Sequence, residues 1–237
     1  MMQIGRMATV VLLGALLAGC PGGVRPPSPP TPTLPEPAPK APQVEGATLY
    51  TIDPVASDVN ILVYRGGLMA RLGHNHVMTA KSLKGKVSLH PDLAKSGFEL
   101  SFPVAELIVD DPQARQATGE DFPGEIPQKD RDGTRTNMLK PEVLDGERFA
   151  YVKLQSVKIV GSLQAARVVT RITIKDVSRE VEVPVVIAVT PTRVTASGRF
   201  AIKQTEFGIK PFSIGLGALE VVDQLQVRFK VVAAAAK

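Results

Sequence analysis

Leu225-Gln-Val-Arg-Phe-Lys-Val231 alternates without a fault: Leu225, Val227, Phe229 and Val231 are apolar, and Gln226, Arg228 and Lys230 between them are polar. In an extended chain successive side chains point to opposite faces, so such a segment buries one face and wets the other. Reading back from it, the same period of two marks Arg193 to Lys203, Val181 to Val189, Ala166 to Ile174 and Phe149 to Ile159. It continues through Phe98 to Val104, Leu83 to His90 and Asp58 to Arg65, with the pattern setting in at Leu49. Asp176-Val-Ser-Arg179 reads as a hairpin turn, and Pro184, lacking an N–H, is expected at an edge, a bulge or a strand start.

One stretch breaks the rhythm. Asp110 to Thr134 is polar and rich in Asp, Gln, Gly and Pro, which predicts a long loop. Arg135 to Leu144 follows as a short helix or pair of helical turns, with Pro141 opening the second. No repeat of fixed period is visible. The fold class is therefore all-β and antiparallel, a sandwich or barrel of about eight strands with one short helical insertion.

The first 47 residues obey other rules. Arg6 precedes the apolar run Met7 to Leu17 and the small residues Ala18-Gly19, after which comes Cys20, the sole cysteine of the chain. A basic residue, a short apolar run and a small-residue cleavage point make a secretory signal, and the run is shorter than the roughly 20 residues a spanning helix needs. Leu17-Ala18-Gly19-Cys20 resembles the lipobox of bacterial lipoproteins. That likeness implies cleavage before Cys20 and acylation of its sulfur and new amino group, and so attachment to a membrane. Pro21, standing where an Asp would favour the inner membrane, points to the outer membrane, with the domain in the periplasm. Ten of the 20 prolines then fall between Pro21 and Pro42, so this segment buries no core and reads as an extended tether. The expected organisation is a signal peptide at 1–19, a lipidated cysteine and tether at 20–47, and one domain at 48–237.

Three segments resemble the YceI-like family of polyisoprenoid-binding proteins. They are Tyr50-Thr-Ile-Asp-Pro54 with Ser57-Asp-Val59, then Ile172 to Pro184, and above all Phe207-Gly-Ile-Lys-Pro-Phe-Ser-Ile-Gly-Leu-Gly-Ala-Leu-Glu-Val-Val-Asp223. Met138-Leu139 with Glu142-Val-Leu144 fits the family's short helix. The resemblance implies a lipocalin-like eight-stranded barrel whose apolar interior takes a polyisoprenoid or a quinone-like tail. Phe207, Phe212, Leu216 and Leu219 become candidate ligand contacts, each with an alternative reading as ordinary core. Gly208, Gly215 and Gly217 read as bends of the last loop.

Arg71-Leu-Gly-His-Asn-His-Val-Met78 places His74 and His76 two apart, which on an extended segment sets both imidazoles on one face. The pair suits a ligand headgroup, a divalent metal, or simply a polar turn whose rings bond to backbone; His90 is the only other histidine. With aromatics at 5%, no Trp and a net charge of +5 without a basic tract, nucleic acid is a poor partner. No nucleophile elbow, zinc-protease helix, phosphate loop or dinucleotide fingerprint occurs. The sequence thus favours a lipid-binding lipoprotein that is not an enzyme. A metal carrier or metal-dependent enzyme using His74 and His76, and a structural interaction lipoprotein with an empty barrel, stand as alternatives. A homodimer is compatible with each.

Overall fold

The computed structural model describes residues 44–235. The expected signal peptide, Cys20 and nearly all of the tether lie outside the described residues.

Fourteen strands form along the described chain: β1 Thr48–Ile52, β2 Asp58–Val63, β3 Arg65–Gly66, β4 His76–Ala80, β5 Lys84–Leu89, β6 Gly97–Pro103 and β7 Ile108–Val109, then β8 Tyr151–Ser162, β9 Ala165–Ile174, β10 Val177–Val189, β11 Arg193–Lys203, β12 Ser213–Ile214, β13 Leu219–Val221 and β14 Gln224–Ala235. Helices α1 Pro112–Thr118 and α2 Gln128–Met138 fall between β7 and β8. The many strands reduce to eight staves. β14 pairs with β1 at its end and with β2 at its start, so β1 and β2 are one stave interrupted by residues 53–57. β5 and β4 pair with those same two halves, and β6 and β7 with the next. β8, β9, β10 and β11 continue without a break, and β11 returns to β14. The result is a closed, antiparallel, eight-stranded barrel, which leaves no long exposed edge.

Ser57 shows how the first break is bridged. The chain leaves the ladder at Asp53, whose carboxylate accepts from the Val55 and Ala56 N–H groups at 3.1 and 3.2 Å. The Ser57 hydroxyl, fully buried, donates to the Asp53 carbonyl at 2.7 Å and accepts from the Val232 N–H at 2.9 Å. A side chain therefore satisfies a β14 amide that the excursion would leave orphaned. That is the physical content of the Asp53-Pro54…Ser57 motif.

Pro184 stands in the middle of the 13-residue β10, just before its ladder to β11 begins at Val185, so one side of the strand is locally an edge there, as expected of a proline. Other expectations need correction. The hairpin turn is Lys175–Asp176 rather than 176–179, with Lys175 at φ 59°. The expected loop at 110–134 holds α1 and most of α2; α2 runs on to Met138, inside the expected 135–144, and Lys140 to Gly146 follow as hydrogen-bonded turns. α1 is started by Asp111, which accepts from the Ala114 N–H, with Pro112 in the first turn. α2 escapes a periodicity search because Met138 is its only buried residue. It docks instead by arginines: Arg135 donates to the Leu107 carbonyl at 3.0 Å and to the Ala105 carbonyl.

Candidate ligand cavity

The barrel is hollow. An upper cavity of about 250 Å³ opens near the β2–β4 and β11–β14 ends, and a lower one of about 130 Å³ lies toward the other end. Val59, Phe102, Leu154, Phe200 and Val227 line both, so these side chains form a waist between the two. The upper walls are inward residues of the staves, such as Ile61, Met78, Ile172, Ile202 and Leu225, while Ser96 and Thr170 are the only hydroxyl side chains on the lower wall. Together the two cavities reach the range of small-ligand pockets, roughly 300–1,000 Å³.

Polar groups gather at the mouth. Tyr64, Arg65, His74, His76, Thr134, Asn137, Gln204 and Glu220 all line the upper cavity. Three excursions supply them: the segment from β3 to β4, the helical excursion before β8, and the stretch between β11 and β14. The last is tied down by Gln204, whose amide donates to the Val222 carbonyl at 3.0 Å, and by Asp223, which accepts from Thr205 at 2.7 Å. Gly67, at φ 86°, lets the first and third excursions touch, because a Cβ there would lie 2.5 Å from the Gly217 carbonyl.

The structure brings some of the expected residues together and separates others. His74 and His76 stand with ring centroids 6.2 Å apart, and both line the upper cavity, as do Phe212 and Leu219. Phe207 is fully buried in the core and lies off the cavity wall. Leu216 points away entirely and is fully exposed. His90 is engaged in the turn after β5, where its Nδ1 accepts from the Asp92 N–H at 2.9 Å. Among the described residues no group of three or more His, Cys, Asp and Glu side chains could hold a metal ion, so a metal at His74 and His76 lacks a third donor.

Sequence reasoning missed Asp110 and Arg115. The Asp110 carboxylate, fully buried, meets His76 Nδ1 at 2.6 Å, Arg115 Nη1 at 2.7 Å and the Val77 N–H at 2.9 Å. Arg115, itself buried, also donates to the carbonyls of Asn75 at 2.7 Å, Pro123 at 3.0 Å and Gly124 at 3.1 Å. Burial, the largest single influence, pushes the Asp110 carboxyl up. The hydrogen bond and charge of His76, the Val77 N–H and Arg115 together outweigh it, and hold the carboxyl below its ordinary range. An ionised carboxylate only accepts, so His76 presents N–H at Nδ1 and leaves Nε2 as its free polar atom at the cavity. On the other face, Phe122 stacks edge-on to Tyr64 at 5.4 Å and closes over Leu62 and Val77. The α1 excursion thus clamps the histidine segment from outside.

A hollow antiparallel barrel of lipocalin type, apolar within and polar at one mouth, is the class that the fold and cavity define. The chain belongs to the YceI-like family: the YceI-like domain profile matches residues 50–233. Among solved structures, Burkholderia cenocepacia BcnA is similar at 18% identity and a TM-score of 0.56, covering 77% of this chain and 99% of its own. The Campylobacter jejuni YceI protein is similar at 12% identity and a TM-score of 0.48, over 67% of this chain and 84% of its own. A mutant CJ YceI protein with a monobromobimane guest structure has 10% identity, the same coverage and a TM-score of 0.48. No curated protein matches the chain.

Proposed function

We propose that this protein is an envelope lipoprotein that carries a polyisoprenoid, or the isoprenoid tail of a quinone, inside its barrel. Its tail follows the apolar passage past the waist, and its head stays at the mouth beside His74 and His76. The observation that carries this reading is the pair of apolar cavities inside the barrel, which share the wall at Leu154 and Phe200. Each isoprene unit brings five carbons, and exposing it to water costs on the order of 3–4 kcal/mol at about 0.8 per methylene. A long prenyl chain leaves a membrane only if it is enclosed, and association costs bring the net affinity well below that sum. Acylation at Cys20 would attach the protein to the outer membrane through the Pro-rich tether.

Mass spectrometry of organic extracts from the purified protein, with titration of a prenyl quinone in detergent solution, tests the proposal. A co-purifying isoprenoid and saturable binding are expected. Extracts without lipid, together with no quinone binding, would overturn it.

A further inference from the structure

The outer surface of the mouth is made as oddly as its inner one. Among the described residues, twelve large apolar side chains are exposed, and six of them (Leu68, Met69, Leu72, Ile214, Leu216 and Val222) sit on the two excursions that meet at Gly67. Leu68 and Leu216 are 98% and 108% exposed. Leu216 is also in the left-handed region, at φ 55°, between two glycines of positive φ. The fold thus holds a leucine in a conformation that L side chains rarely adopt and turns it to solvent. The backbones beneath are firmly joined: β3 pairs with β13, and the Met69 N–H donates to the Ala218 carbonyl at 2.7 Å. The same segments line the cavity through Arg65, Gly73, His74, Phe212 and Leu219. Across residues 65–73 and 204–223 the charged side chains are Arg65, Arg71 and Lys210 against Glu206, Glu220 and Asp223, an even balance.

From this arrangement we infer that the rim is a bilayer-docking surface, through which the barrel takes up and releases its lipid. The inference rests on the lipid-carrier reading. Apolar tips on a rim of balanced charge match a bilayer interface, where they seat leucine in hydrocarbon and leave the polar groups among the headgroups. Docking the mouth on the bilayer lets a tail pass between two apolar phases without crossing water. Chain geometry permits it as well. β1 begins at the end of the barrel away from the mouth, and the 28 residues read as the tether would reach roughly 80 Å at about 3 Å each. The 12-residue β14 spans only about 40 Å at roughly 3.3 Å per residue. The mouth can therefore turn back to the membrane that holds the anchor.

The test uses the full chain carrying Cys20→Ser and a single environment-sensitive fluorophore on Leu216→Cys. A control carries the fluorophore on Thr192→Cys, in the turn at the opposite end of the barrel. Vesicles of phosphatidylcholine, with and without phosphatidylglycerol, are added to each. The probe at 216 is expected to shift to the blue and to be quenched by nitroxide lipids on both kinds of vesicle, while the probe at 192 stays unchanged. The double variant Leu68→Glu/Leu216→Glu should slow transfer of a prenyl quinone between vesicles by at least about tenfold, since two leucines no longer enter hydrocarbon. Its quinone binding in detergent should be unaltered. Identical responses at 216 and 192, or wild-type transfer by the double variant, would overturn the inference. So would a response at 216 to envelope proteins but not to vesicles, which would assign the rim to a protein partner. Absence of quinone binding in detergent would count against the carrier reading alone, because the two probes judge the rim independently.

Discussion

Replacing Arg115 by methionine keeps the volume of the stem and deletes the guanidinium that closes the Asp110 site. Asp110 would keep His76 and the Val77 N–H but lose its 2.7 Å ion pair, and three carbonyls would lose their donor. Breaking a buried pair by removing one partner costs about 3–5 kcal/mol. For a domain of this size each kcal/mol lowers Tm by roughly 2–4 °C, so Arg115→Met should melt about 6–20 °C below wild type at neutral pH. The pH profile should change as well. In the wild type the Asp110 carboxyl is held below its ordinary range, so its contribution is complete above the unfolded value of about 3.9 and is lost only as pH falls through the lower folded value. Without Arg115 burial is less opposed, the folded value rises, and the acid loss begins at higher pH. Thermal melts followed by circular dichroism from pH 7 to pH 3 measure both effects, with Arg115→Lys as the intermediate that keeps charge but not the fork. A variant melting within about 2 °C of wild type, with the same acid profile, would refute this account of the site.

Two further outcomes follow from the passage and its cap. Leu154→Trp at the waist should cut off the lower cavity; binding of a long prenyl quinone would weaken at least tenfold, while a one- or two-isoprene analogue binds as before, both read by fluorescence titration. Gly67→Val should push the β3 excursion off Gly217, since its Cβ would sit 2.5 Å from a backbone carbonyl at a φ of 86°; faster amide exchange at Gly66, Met69 and Glu220, with the barrel strands unchanged, is the expected signature.

The staves with one wet face were the legible part. Arg193–Lys203 matches its expected bounds, and β9, β10 and β14 differ only in length. β4 was hidden by the packing that makes it useful. Met78 lines the cavity while Val77 and Thr79 are buried on the other side, so no alternation survives to mark a strand. The histidine pair was visible from its spacing. Its support was not, because the contact between Asp110 and Arg115 depends on how a polar excursion folds back, and polar excursions carry no period. The Asp111-Pro112 start of α1 was a readable cap signal all the same. Leu216 was taken for a ligand contact because apolar residues normally face inward, and only coordinates show it standing outside.

The chain enters the barrel beside the place where it leaves. Tyr50 sits opposite Ala235, and both lie at the end remote from the mouth. A reporter domain or an immobilisation handle fused after the last strand would therefore leave the entrance clear. Joining the two ends with a short linker, and cutting instead at the exposed Val189–Arg193 turn, would yield a permuted barrel with its cargo route untouched.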